Sequence, residues 1–267
     1  MGLGERIGSG NTANIYVLGS DQVLKVFHDP KLLRLEEGIS HIIEKLEVGA
    51  PTFYGTVEID GLTGLAYERI KGPSMLEILL GKPEQAAECG RQLAQIQIKL
   101  QRVKAYEHLQ SFKSRLADTI NHIRHPGFEP FREAIVNCLA DLSDGNQLCH
   151  GDYHPGNVLL SQEGPVVIDW MTAAYGPAQA DAARTIMLLQ HAVLPIELPE
   201  VVSQTFAHTR TILLKSYEDA YLEQTGFNKE ELTKWEIPLM AARLGESIPE
   251  EEQRKLLVLI QRNLMYT

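Results

Sequence analysis

The sequence has 267 residues, of which 44% are hydrophobic and 22% charged, the balance of an ordinary globular chain with enough apolar material for a sizeable core. Lys plus Arg number 25 against 35 Asp plus Glu, a formal charge of −10 spread along the whole length, so the basic footprint of a nucleic-acid binder is missing. The longest run free of Asp, Glu, Lys and Arg is the twelve residues from Thr185 to Ile196, well short of the ~20 needed to span a bilayer.

The opening MGLGERIGSG carries no apolar leader, and the three cysteines (Cys89, Cys138 and Cys149) have neither an even count nor CxxC spacing. A cytoplasmic protein with buried thiols is expected, without a disulfide scaffold or a zinc site.

The first 70 residues read as strands with one helix. A short apolar stretch ends in the glycines of Ile7 to Gly10. Ala13 to Leu18 and Val23 to Phe27 are β-rich runs joined by the turn composition Gly19-Ser20-Asp21. Pro30 opens a helix with Leu32, Leu35, Ile39, Ile42, Ile43 and Leu46 on one face, stopped by Gly49-Ala50-Pro51. Two further strands, Phe53 to Ile59 and Leu65 to Ile70, flank the hairpin signal Asp60-Gly61.

After Gly72-Pro73 the pattern turns helical. Leu109, Phe112, Leu116, Ile120 and Ile123 form one stripe, and Phe131, Ile135, Leu139 and Leu142 another. The first stripe is open either to internal packing or to pairing with a second copy. A Gly- and Pro-containing stretch, 150–180, holds two short β-like runs, Val158 to Leu160 and Val166 to Ile168. Helical patterns then resume to the end, where Glu250-Glu251-Glu252 reads as the acidic first turn of a helix.

The strongest chemical signal is His150-Gly151-Asp152, with Asn157 five residues after the aspartate and Ile168-Asp169-Trp170 beyond it. Two carboxylates and an amide in this order suit phosphoryl transfer. One carboxylate accepts the proton of an attacking hydroxyl, while the amide oxygen and the other carboxylate hold Mg²⁺ on nucleotide phosphates. Upstream, Gly8-Ser9-Gly10-Asn11-Thr12-Ala13-Asn14-Ile15 is a glycine loop between two predicted strands, and Lys25 stands in the apolar run Val23 to Phe27, where an unpaired ammonium is costly.

These motifs resemble the kinase-like phosphotransferases that include the aminoglycoside phosphotransferases. The resemblance is strongest over 1–72 and 148–184 and faint after about 197. It implies an α+β, bilobal, protein-kinase-like fold with a small antiparallel lobe carrying one helix and a larger, mainly helical lobe. The expected division is 1–72, a nucleotide-binding lobe including the interlobe connector, and 73–267, a helical lobe with catalytic loop 150–157, metal-binding Asp169 and the acceptor pocket. ATP, or GTP, with Mg²⁺ is expected in a cleft shared by the lobes.

By the same resemblance, Asp152 is the catalytic base and Asn157 and Asp169 are the metal ligands. Gly8, Ser9 and Gly10 cover the phosphates, with Ala13 in place of the third glycine of the loop pattern, and Ile15 packs on the adenine. Backbone groups of Glu68 and Ile70 meet the adenine edge. Lys25 contacts the phosphates and pairs with a glutamate of the following helix. At 100° per residue Glu36 lies within the arc of Leu32, Ile39 and Ile43, so it is the partner expected, with Glu37 its solvated neighbour. His150 and Asp181 brace the catalytic loop, and His154 is placed either near the transferred phosphate or in loop packing.

The expected activity is transfer of the γ-phosphoryl of Mg-ATP to a hydroxyl of a small molecule, an aminoglycoside-like antibiotic or a metabolite such as an amino alcohol or sugar. No nucleic-acid or membrane partner is expected. The competing readings are a protein Ser/Thr kinase-like enzyme and a catalytically silent nucleotide-binding protein. Trp170-Met171 stands where protein kinases have Phe-Gly, against the first. Retention of Lys25, Asp152, Asn157 and Asp169 counts against the second.

Overall fold

The computed structural model describes residues 2–105, 109–193 and 200–265, with the backbone alone for 200–203. The chain divides into two compact units, one of residues 1–76 and 155–173, the other of 77–154 and 174–267.

In the first unit, strands β1 (Leu3–Ser9), β2 (Ala13–Leu18) and β3 (Gln22–Phe27) precede helix α1 (Pro30–Lys45), and β4 (Phe53–Ile59) and β5 (Leu62–Glu68) follow it. All pair antiparallel in the order β1-β2-β3-β5-β4. Leu18, Leu24 and Ala66 form the buried centre of the sheet, with Val26 and Val57 packed against them. Strand β5 starts three residues earlier than its hydrophobic run predicts and stops at Glu68, not at Ile70. The reason is the turn. Asp60 and Gly61 both adopt positive φ (52° and 78°), the two-residue geometry that matches strand twist, so Ile59 pairs directly with Leu62.

Helix α1 begins where Pro30 predicts, with Asp29 as its cap accepting from the Lys31 amide at 2.8 Å. It ends at Lys45, before the Gly49-Pro51 signal, and Glu47 takes a positive φ of 50°. Its deepest line is Glu36, Ser40 and Ile43, at helical spacing, while Leu35 is half exposed. The face of α1 turned inward is therefore partly polar. A hairpin of Val158–Ser161 and Gly164–Val167 completes the unit, followed by a single helical turn, Trp170–Thr172, packed against α1. Gly72 sits so close to this hairpin that a Cβ there would lie 2.1 Å from the Leu160 carbonyl oxygen.

The larger second unit is mainly helical. Its helices are α2 (Met75–Gly81), which starts in the first unit, α3 (Ala86–Leu100), α4 (Phe112–His122), α5 (Arg132–Ala140), α6 (Ala178–His191), α7 (Glu200–Thr225), α8 (Lys229–Thr233), α9 (Glu236–Leu244) and α10 (Glu250–Met265). The stripe on α4 packs inward on α5 and α9, with Phe112, Leu116, Ile120 and Ile123 all buried. The long contact of α3 with α7 is made close by Gly90, where a Cβ would meet the Leu213 carbonyl at 2.5 Å. A two-stranded ribbon, Gln147–Cys149 with Ala174–Gly176, leads into and out of the stretch that carries the motif. Helix α10 opens on the predicted acidic turn, but Glu252 is wholly buried and paired with Arg243 at 2.7 Å. Cys89 and Cys149 are buried, whereas Cys138 is exposed, contrary to the expectation for all three thiols. Among the described residues no helix is long and apolar enough to cross a membrane.

Candidate active site

In the first unit, the alternation of β3 carries Lys25 to the inner side of the sheet, opposite Ile15 of β2. Its ammonium is buried and lies 2.8 and 2.7 Å from the two oxygens of Glu36 and 2.9 Å from Asp169 Oδ1. Burial opposes charge on Lys25, but Asp169 and Glu36 outweigh it and hold the ammonium above its ordinary pKa. Burial likewise pushes Glu36 up, against the opposing pull of Lys25. Glu37 is turned away from Lys25 and accepts a hydrogen bond from Thr56 Oγ1 at 2.7 Å.

Asp169 has a left-handed backbone (φ 62°, ψ 63°), a conformation that costs energy for a non-glycine residue and that aspartate tolerates better than most. The conformation sets its carboxylate on Lys25. The pairing of Val158 with Val167 puts Asn157 and Ile168 across from each other at the base of the hairpin, joined by a 3.0 Å bond from the Ile168 amide to the Asn157 carbonyl. Asn157 and Asp169 thus emerge at one end of one hairpin. One amide and one half-exposed carboxylate are oxygen groups of the kind that suits a hard divalent cation drawing its other ligands from phosphate and water. No cluster of three or more His, Cys, Asp or Glu suited to a metal occurs among the described residues, so a site built wholly from protein donors of those types is absent there.

The glycine loop joins β1 to β2, with the Gly10 amide donating to the Ala13 carbonyl at 2.9 Å. Ser9 Oγ donates to Asn14 Oδ1 at 2.9 Å, and His28 spans the Asn14 amide and the Asn11 carbonyl with its two ring nitrogens. Gly8 stands opposite Ile15. Glu68 ends β5, its carboxylate held by the Thr52 amide and hydroxyl, and Ile70 follows two residues on.

In the second unit, Asp152 follows Gly151, whose φ of 80° admits glycine readily and other residues poorly. The Gly151 amide donates to Asp181 Oδ1 at 2.8 Å, and its carbonyl accepts from Arg184 Nε at 3.1 Å. Asp181 is buried and its other oxygen accepts from Gln97 Nε2 at 2.8 Å. The Asp152 amide donates to Nδ1 of buried His150, whose ring meets Tyr153 edge-on. Around the Asp152 carboxylate stand His154 Nε2 at 3.7 Å and Arg184 Nη2 at 3.9 Å. Burial would raise the Asp152 carboxyl, but His154, Arg184 and His150 together hold it well below the usual carboxylate range.

Sequence reasoning missed several contributors. Tyr67 and Ser40 bond each other at 2.7 Å beside Glu36, and His28 ties the glycine loop. Arg184, Gln97 and Gln101 surround the Asp152 loop and Asp181. Only Arg184 left a usable signal, since it stands one helical turn from Asp181 and belongs to an otherwise uncharged helix interior.

A five-stranded antiparallel sheet with one helix, joined to a larger helical unit, is the bilobal α+β architecture of kinase-like phosphotransferases. A family model described as the phosphotransferase enzyme family matches residues 4–213, and the chain belongs to that family. No curated protein sequence matches it. Among solved structures, amicoumacin kinase hAmiN in complex with AMP-PNP, Ca²⁺ and Ami is 13% identical over 96% of this chain and 87% of its own, with a TM-score of 0.62. Aminoglycoside-3'-phosphotransferase of type VIII is 17% identical over 91% and 92%, with a TM-score of 0.58. The streptomycin-ATP-APH(2")-IIa ternary complex is 14% identical over 97% and 90%, with a TM-score of 0.57. At these identities the likeness is one of fold.

Proposed function

We propose that the chain transfers the γ-phosphoryl group of Mg-ATP to a hydroxyl of a small molecule. The observation that carries this reading is the buried Lys25, held between Glu36 and Asp169. A structural ion pair needs one carboxylate. A lysine shared by two, the second on a strained backbone beside Asn157, suits a site built to receive a polyanion and its cation.

In this reading Lys25 orients the α- and β-phosphates, and the backbone of Gly8 to Ala13 covers them. Ile15 lies beside the adenine, and the backbone of Glu68 and Ile70 meets its polar edge. Asn157 and Asp169 would hold Mg²⁺, which when bound neutralises charge on the phosphate oxygens. Asp152, ionised at neutral pH, accepts the proton of the acceptor hydroxyl. That oxygen then bonds to the γ-phosphorus as the bond to the β-phosphate oxygen breaks and ADP leaves. His150 and Asp181 hold the loop that presents Asp152.

The similar structures named above are an amicoumacin kinase, an aminoglycoside phosphotransferase and a streptomycin-ATP complex, but this chain's excess of acid is spread along its length, so the acceptor is read more broadly as an antibiotic or a hydroxylated metabolite. A protein-kinase reading is disfavoured by the segment after Asp169. It closes at once into the Trp170–Thr172 turn, with the indole N–H on the Val167 carbonyl at 2.9 Å.

ADP release from MgATP over a panel of hydroxylated metabolites and antibiotics tests the reading. A catalytic base is worth about 10²–10⁴ in rate, so Asp152→Asn should lose that much turnover and keep its affinity for MgATP. Phosphate appearing on peptides alone, or no acceptor at all, would overturn it.

A further inference from the structure

Arg184 has few reasons to be where it is unless it serves the loop it touches. A guanidinium this buried is costly unless fully paired. Its Nε donates to the Gly151 carbonyl, while Nη2 donates to Glu246 Oε1 at 2.6 Å and lies 3.9 Å from Asp152 Oδ1. Gly151 is the one residue of this loop with a left-handed backbone, and glycine there can swivel. Asp181 fixes the Gly151 amide and Arg184 fixes its carbonyl, so the peptide planes leading to Asp152 are held from both sides.

The pairing continues away from the loop. Glu246 Oε2 accepts from Arg243 Nη1 at 2.5 Å, Arg243 Nε donates to Glu252 Oε1 at 2.7 Å, and Glu252 Oε2 accepts from the Val193 amide at 2.9 Å. Charges alternate along this line from the loop to α9, the start of α10 and the end of α6. All of it lies within the second unit.

We propose that Arg184 is a positioning residue for Asp152: it fixes the Gly151 carbonyl, shares one nitrogen between Asp152 and Glu246, and so couples the aim of the Asp152 carboxylate to α9 and α10. This goes beyond the proposed function and rests on its reading of Asp152. Lysine cannot replace Arg184, because a single ammonium cannot hold the Gly151 carbonyl and Glu246 in the same forked geometry. The coupling also predicts that a change at Glu246, whose carboxylate bonds Arg184 and Arg243 among the described residues, acts on turnover.

The test is ADP release from MgATP with water as the acceptor, for wild type, R184K, E246Q, D152N and the doubles R184K/D152N and E246Q/D152N. R184K should lose tenfold or more in kcat with KM for MgATP within twofold of wild type, and E246Q several-fold in the same sense. On the D152N background each should add less than a twofold loss, because both act through Asp152; a merely structural role would lower both backgrounds alike. If R184K fails to fold, E246Q and its double carry the same comparison. Wild-type kcat in R184K and E246Q, or doubles whose losses are the product of the single losses, would overturn the proposal. D152N turning over like wild type would instead overturn the reading of Asp152, and with it the positioning role.

Discussion

The Tyr67 hydroxyl lies 3.0 Å from Glu36 Oε1, so the carboxylate that holds Lys25 is itself held by a strand residue of the same sheet. Tyr67 also shares a hydrogen bond with Ser40, one turn beyond Glu36 on α1, and burial keeps its phenol far above the ordinary range. Tyr67→Phe retains the ring packed on Phe53 and removes only the hydroxyl. Loss of a buried hydrogen bond to a charged group costs about 1.5–3 kcal/mol. The variant should melt several degrees lower in thermal denaturation. If Glu36 aims Lys25 at nucleotide, calorimetric titration should also show weaker MgATP binding, by several-fold; unchanged melting and binding would remove Tyr67 from this role.

The close approach of α3 to α7 gives a second expectation. At Gly90 an added Cβ would meet the Leu213 carbonyl at 2.5 Å and the Tyr217 amide nitrogen at 2.9 Å, both rigid backbone atoms. Helix propensity favours alanine over glycine by ~1 kcal/mol, but overpacking against backbone costs about 1–3 kcal/mol. The clash should win. Gly90→Ala is expected to lower the urea midpoint, and Gly90→Val to lower it further. A midpoint that rises with alanine would show that the two helices can separate freely.

How much of this was legible in the sequence depends on how each contact is encoded. The choice of Glu36 over Glu37 followed from helical angle alone, and the structure sets Glu36 on Lys25 and Glu37 on Thr56. The strand and helix order of residues 1–70 was legible because its punctuation (Pro30, Asp60-Gly61) is local. The β5 boundary was missed because Leu62 and Thr63 lack the apolar density of Leu65 and Ala66, yet a tight turn pairs them anyway. Leu35 was counted with the buried stripe of α1, but the Lys25–Glu36 ion pair takes part of that inward face, and polar Ser40 lies there instead. Tyr67, His28 and Gln97 act through contacts between residues far apart in the chain, and such contacts leave no spacing to read. The buried pairing of Glu252 with Arg243 was hidden for a different reason, since a run of three glutamates at a helix start is fully explained by the helix dipole.

His191 provides the expectation for pH. It ends α6 and lines a cavity of about 510 Å³ together with Phe206, Arg210 and Lys255. Its Nδ1 is buried and has no hydrogen-bond partner among the described residues. Burial, with Lys255 and Arg210 adding to it and Glu252 opposing, pushes its pKa down to about 4 from an ordinary 6.5. Above pH 6.5 the imidazole is neutral in both folded and unfolded chains and adds no pH dependence. Between 6.5 and 4 the unfolded chain takes up a proton that the folded one refuses, so stability falls as pH falls through that window and levels off below it. His191→Leu removes the titrating group without stranding a hydrogen-bond partner of Nδ1. Its melting temperature should drop less than that of wild type between pH 7 and pH 5. The comparison is of slopes, so a general loss of stability in the variant does not enter it. Parallel slopes in the two proteins would show that His191 ionises without penalty and that the cavity admits the charged ring.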